Sequence, residues 1–222
     1  MYELSKEIFM VNGSASNFPN NLDIHYDESK KLTYACIVHK QQVYDCPLQF
    51  TRGITSVNNL ILVGTHIGDI LVFEYANENS ISSKKVIQEH HCAIVDIIKH
   101  ESEDVICSCD VVGNIVIWTK SMKNIQSATS TGFDINCFNM LKNYLVIGTM
   151  IGEILLYSLN GAQLLIKINA HCRQINAIST ASDNNYILTV AEDSIVHVWS
   201  LLMDTDPILT KSMKLQERFL GP

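Results

Sequence analysis

Apolar residues in this chain come in short runs of β-branched and aliphatic side chains separated by polar, turn-rich stretches, and nothing reads as a long helix. Four of the runs superimpose: Gly68 to Phe73 (GDILVF), Gly113 to Trp118 (GNIVIW), Gly152 to Tyr157 (GEILLY) and Ser194 to Trp199 (SIVHVW). Each opens on a residue suited to a tight turn, continues apolar on both faces as a strand between two others would, and closes on an aromatic. A second apolar run precedes each one, at Leu60 to Gly64, Val105 to Cys109, Tyr144 to Gly148 and Tyr186 to Val190. Two strands joined by a tight turn once per repeat form a hairpin.

The aromatic ends fall at steps of 45, 39 and 42 residues. That is the spacing of one four-stranded propeller blade. The fold expected is therefore all-β, a β-propeller of four-stranded antiparallel blades. About five blades are recognisable and the ring is incomplete. A propeller does not divide into independent domains, so residues 1–222 form one. A degenerate first blade covers 1–46, with strands at Glu7 to Val11, Leu22 to Tyr26 and Leu32 to His39. Blades follow at 47–90, whose first strand is predicted near Pro47 to Gly53, at 91–130 and at 131–170. An incomplete last blade covers 171–222.

Charge narrows the partners. With 16 Lys and Arg against 23 Asp and Glu the net charge is −7, and no dense basic cluster exists to neutralise a phosphate backbone. Nucleic acid is not expected as a partner. The start MYELSKEIFMV lacks a secretory apolar region and no long uninterrupted apolar stretch occurs, so no membrane insertion is expected. Seven cysteines, an odd number lying mostly in strand-like runs, read as reduced thiols in a cytoplasmic protein.

In the last repeat the chain has His171, Ile175 four positions on, Thr189, Asp193 and Val198-Trp199. This resembles the WD-repeat family, whose blades carry a His before the first strand, Ser or Thr on the second, Asp in the turn and Trp on the third. The resemblance implies that His171, Thr189, Asp193 and Trp199 form a hydrogen-bonded structural tetrad. It also implies a partial one from His91, Ser108 and Trp118, with Val112 where the Asp belongs and Asp110 two residues early. Ile67 and Ile151 hold that position in the other copies. Further stretches, among them Asn20-Asn21-Leu22, FTRGI at Phe50 to Ile54, and INAH at Ile168 to His171, are similar to one subfamily of these proteins. Its members carry a longer insertion before FTRGI and continue past the last residue here, which implies a truncated or alternatively spliced form. A ring short of strands would expose edges and self-associate.

Three chemistries compete. The cluster His90, His91, Cys92, Cys107 and Cys109 has the ligand types of a zinc site, although Cys107 and Cys109 share one strand face and His91 is claimed by the blade motif. Ser108 with His91 and Asp110, or Thr189 with His171 and Asp193, superficially suggests a hydrolase triad, without a nucleophile elbow or oxyanion glycines. No catalytic residue, metal or cofactor is assigned. The favoured reading is a non-enzymatic scaffold that binds other proteins through loops on one face. The candidates are His66, Asp110, Met150 and Glu192 in the turns between second and third strands, and Phe133, Arg173 and Gln174 before first strands.

Overall fold

The computed structural model describes residues 22–27, 32–37, 51–77, 80–183, 185–201 and 208–214, all in strands or their connections. Strands β1 (Leu22–Asp27) and β2 (Leu32–Ile37) form an antiparallel pair. Four antiparallel sheets follow, each of four strands in sequence order. The first is β3 (Thr51–Val57), β4 (Leu60–Thr65), β5 (Ile70–Asn77) and β6 (Ser80–Ile87), and the second is β7 (Ile94–Lys99), β8 (Val105–Asp110), β9 (Asn114–Thr119) and β10 (Ile125–Ser130). The third is β11 (Ile135–Leu141), β12 (Tyr144–Thr149), β13 (Glu153–Ser158) and β14 (Leu164–Asn169). The fourth is β15 (Ile175–Ala181), β16 (Tyr186–Ala191), β17 (Ile195–Ser200) and β18 (Ile208–Lys214). We number these four sheets blades II to V and the β1–β2 pair blade I. The fold is the expected all-β, propeller-like one.

Two differences from the sequence reading are physical. The last blade, expected to be incomplete, has four strands, because the polar segment ILTKSMK pairs with β17 as an outer strand that needs no apolar face. The strand expected at Pro47 to Gly53 is instead Thr51–Val57, with residues 47–50 outside the described ones. The chain passes Gly53 without ending because the ladder bulges between Arg52 and Ile54, where Gly53 has a φ of +71°. Similar register shifts recur in the first strands of the other blades, at Ile94/Asp96, Ile135/Cys137 and Ile175/Ala177. The strand expected at Glu7 to Val11 lies outside the described residues.

Blades II to V stack through their first strands, β3 on β7, β7 on β11 and β11 on β15, and β1 of blade I lies against β3. Alternation then gives the middle strands of blades II to IV two buried faces, whereas β16 of blade V keeps one face exposed. Leu62 and Val72 of blade II meet Ile106, Val116 and Trp118 of blade III. Cys107, Cys109 and Ile117 of blade III meet Leu145, Ile147 and Tyr157 of blade IV. Val146 and Leu156 of blade IV meet Ile187 and Trp199 of blade V. Trp118, Tyr157 and Trp199 fill these gaps, each packed toward the preceding blade.

Polar side chains tie the first strands together around a central cavity of about 930 Å³. The Lys99 ammonium donates to the Ser56 carbonyl, Asn139 to that of Ile178, and Thr180 to that of Met140. These bonds join β7 to β3 and β11 to β15, which fixes blade III against blade II and blade V against blade IV.

Candidate interaction face and its hydrogen-bonded supports

One turn recurs between second and third strands. The amide of Gly68 bonds the Thr65 carbonyl, Gly113 that of Asp110, Gly152 that of Thr149 and Ser194 that of Ala191. The residue at that position is left-handed in every copy, with φ of +98°, +93°, +89° and +61°. At Gly152 a side chain is excluded for a second reason. A Cβ there would fall 2.7 Å from the Arg173 carbonyl oxygen and closer still to that of His171, so the turn of blade IV lies directly on the entry loop of blade V. Backbone bonds extend this contact, from Thr131 to Gly113 and from His171 to Gly152 between blades, and from Met150 to Asp134 and Glu192 to Gln174 within a blade. Turn tips and entry loops therefore interleave into one continuous band at one end of the molecule, which we call the top face.

Two buried polar networks brace the band. In blade V the His171 ring bonds the Asp193 carboxylate through Nδ1 at 3.0 Å and Thr189 Oγ1 through Nε2 at 2.8 Å, and Trp199 Nε1 donates to the same hydroxyl at 3.1 Å. Asp193 also accepts from the amides of Cys172 and Ile195. Burial pushes its carboxyl up, but the two amides and His171 outweigh this and hold it below the ordinary carboxylate range. The His197 ring stands 4.4 Å from that of His171, and its Nδ1 is buried without a partner. Burial first, and the neighbouring His171 second, hold His197 below the usual imidazole value.

In blade III the network is equally complete, but with a different histidine. His90, not His91, bonds Asp110 Oδ2 through Nδ1 at 3.2 Å and Ser108 Oγ through Nε2 at 2.7 Å, while Trp118 Nε1 donates to Ser108 at 2.9 Å. His91 is exposed. The spacing carried the signal, because His90 precedes Ile94 by four positions as His171 precedes Ile175. Asp110 also corrects its assignment as an exposed binding residue. It is the last residue of β8, 0% exposed, and it accepts from the Asn114 amide and side chain at 2.8 Å each. Burial raises its carboxyl, yet the bonds from His90 and Asn114 leave it below the ordinary range. Asp110 thus anchors the network from the base of the turn, two residues before the position Asp193 occupies.

The remaining candidates separate by exposure. His66, Met150, Arg173 and Glu192 are exposed on the top face. Phe133 and Gln174 are half-buried; Phe133 packs against the core between blades III and IV, with the Lys167 ammonium 4.3 Å from its ring centroid. The residues that sequence reasoning missed are the exposed aliphatic tips Ile67, Val112 and Ile151, beside Met150. In the sequence each registers only as the absence of an Asp.

Among the described residues, no group of three or more His, Cys, Asp or Glu side chains is placed to hold a metal ion. Alternation along β8 divides the proposed zinc cluster, with Ser108 and its partner His90 toward blade II, and Cys107 and Cys109 toward blade IV. Burial drives both thiols well above their ordinary range and Cys137 to about 12, against the thiolate a metal needs. Ser108 and Thr189, the nucleophiles of the triad readings, are 0% exposed and already bonded to Trp and His. No helix among the described residues is long and apolar enough to cross a membrane.

The comparisons with known proteins agree with this architecture. The family described as WDR54 matches residues 44–209. WD repeat-containing protein 54 of Homo sapiens is 29% identical over 160 residues, 68% of this chain and 48% of that protein; WD repeat domain 54 of Rattus norvegicus gives the same figures, and the Mus musculus protein is 28% identical. The chain spans about half the length of these relatives. Among solved structures, the computationally designed Ika4 protein superimposes with a TM-score of 0.62 at 17% identity, covering 71% of this chain and 95% of its own. The designed Ika8 protein gives 0.63 at 15%, covering 83% and 57%. A family match across residues 44–209 of 222, on a sheet-by-sheet repeat of this kind, means that the chain belongs to the WDR54 family.

Proposed function

We propose that this protein is a non-enzymatic scaffold in the cytoplasm whose top face binds other proteins. The observation that carries the reading is the interleaved band of turn tips and entry loops, held by backbone bonds between blades and braced by two buried networks. Side chains there are presented by a rigid support, which lowers the ordering cost of binding. Membership of a WD-repeat family and the free thiols at Cys92, Cys107, Cys109, Cys137 and Cys172 support the same setting. The step from fold to function is one of analogy.

The test is partner capture with cross-linking from cells. The double change Arg173→Ala and Glu192→Ala, both exposed on the top face, is compared with Glu101→Ala and Asp183→Ala, exposed in the opposite turns. Phe133 is avoided because its truncation would disturb the core. Loss of capture in the top-face pair alone is expected. Loss in the opposite pair with the top-face pair intact would mean that the binding face is misassigned.

Self-association is a second reading, favoured by the free face of blade V. Leu188 and Tyr186 are 38% and 39% exposed, whereas Cys107 and Val146, at the position of Leu188 in blades III and IV, are 0% exposed. Sedimentation velocity decides it: a concentration-independent monomer would end this reading.

A further inference from the structure

The four equivalent turns carry Thr65-His66-Ile67-Gly68, Asp110-Val111-Val112-Gly113, Thr149-Met150-Ile151-Gly152 and Ala191-Glu192-Asp193-Ser194. In three consecutive blades the residue before the glycine is aliphatic and solvent-facing: Ile67 is 44% exposed, Val112 42% and Ile151 60%, with Met150 beside it at 40%. Exposed aliphatics elsewhere, such as Val86, Ile125 and Leu164, lie on outer strands. Those at the tips instead occupy one position of one repeated turn on one face. Scattered exposure of that kind needs no explanation, but three consecutive equivalent tips do.

The charge around them is mostly negative. Exposed Asp134 lies against Met150, whose amide bonds its carbonyl, exposed Glu192 stands at the tip of blade V, and exposed Glu89 enters blade III. Against these three carboxylates the described top-face loops offer one guanidinium, that of Arg173; Lys167 at the edge is already paired with Glu153 at 2.8 Å. The apolar tips run across blades II to IV and end at acidic groups on blades IV and V.

We propose that this arc is the recognition surface for a cationic amphipathic segment of a partner protein, its apolar side chains over Ile67, Val112 and Ile151 and its Lys or Arg side chains at Asp134 and Glu192. The inference rests on the top-face reading above and adds the partner's chemistry. Burying the tips supplies the affinity, and the carboxylates set orientation and the sign of charge accepted. An anionic membrane surface is disfavoured by the same carboxylates.

The experiment uses fluorescein-labelled synthetic peptides of about a dozen residues, which span roughly 40 Å when extended. One is built from Leu, Lys and Ser, one has Glu for Lys, and one has Ser for Leu. Fluorescence anisotropy measures binding to the full chain, hydrogen–deuterium exchange maps it, and phosphatidylserine vesicles provide a third ligand. Only the Leu/Lys peptide should bind, with protection at residues 65–68, 110–113 and 149–152 and with affinity that falls as salt rises. The triple change Ile67→Ser, Val112→Ser, Ile151→Ser should weaken binding about tenfold or more, as should Glu192→Lys alone, which leaves the apolar tips intact. Equal or stronger binding of the Leu/Glu peptide at the same turns, or stronger binding of the vesicles there, would overturn the cationic segment while leaving the top face as the binding surface. Binding of the Leu/Lys peptide that none of these variants alters, or protection mapped to the opposite turns, would overturn both. No binding by any peptide overturns the proposed chemistry and leaves partner capture to judge the face.

Discussion

Replacing His90 or His91 by Ala separates two neighbouring residues that the sequence presents as near equivalents. The His90 ring has 0% side-chain exposure and makes two bonds, one to the Asp110 carboxylate and one to the Ser108 hydroxyl. A hydrogen bond to a charged group contributes about 1.5–3 kcal/mol and an ordinary one about 0.5–1.5 kcal/mol. Asp110 keeps the two donors of Asn114 and Ser108 keeps Trp118, so neither is left wholly unsatisfied. His90→Ala is therefore expected to cost about 2–4 kcal/mol, which in a chain of this size lowers Tm by roughly 5–15 °C. His91 is exposed, and its truncation should change stability by less than about 0.5 kcal/mol. Differential scanning calorimetry of both variants and the parent under one set of conditions measures the contrast. Equal shifts, or a larger one for His91→Ala, would refute the assignment of His90 to the blade III network.

Two further outcomes test the electrostatics. Acidification should destabilise the fold in two stages. His197 has a depressed folded value, so its contribution is present above the unfolded imidazole value near about 6.5 and is lost as pH falls below it. Asp110 and Asp193, also depressed, keep theirs until pH falls below the ordinary carboxylate value of about 3.9. Urea denaturation at a series of pH values should show the first slope removed by His197→Leu, the residue that Leu71 and Leu155 supply at the same place in blades II and IV; an unchanged slope would acquit His197. Iodoacetamide labelling of the folded protein, read by peptide mass spectrometry, should modify exposed Cys172 and spare Cys107, Cys109 and Cys137. Labelling of Cys107 at the rate of Cys172 would mean that the gap between blades III and IV is open.

The blade repeat was legible because its most constrained element is local. A left-handed turn residue, an apolar strand and a gap-filling aromatic each follow from backbone geometry within about ten residues, and these recur in all four copies. What depended on contact between distant segments was not legible. Phe133 has the composition of a surface anchor, and only the approach of blade IV to blade III makes it half core. The outer strand Ile208–Lys214 has no pattern of its own and becomes a strand because β17 offers it an edge.

The position of Asp110 has the widest consequence for the other blades. With an Asp expected just before the turn glycine, Val112, Ile67 and Ile151 register as decay of the motif. The geometry gives them another meaning. In blade V the carboxylate reaches His171 from the tip of the turn, so the tip must be polar and half-buried. In blade III it reaches His90 from the last strand position, and the Asn114 amide closes the turn on it. Blade IV closes in the same way without a carboxylate, through Thr149 Oγ1 accepting the Glu153 amide at 2.9 Å. Moving the anchor from tip to base frees the tip from the network, and in blades II, III and IV the freed tip is aliphatic and exposed, which scattered loss of an Asp would not favour three times. Asp110→Ala and Val112→Asp should therefore compensate each other in part: in blade V the tip carboxylate of Asp193 accepts the Ile195 amide, the counterpart of the Asn114 amide, as well as meeting its histidine, so by urea denaturation the double variant should be more stable than Asp110→Ala alone, and equal stability of the two would refute the equivalence of tip and base anchors.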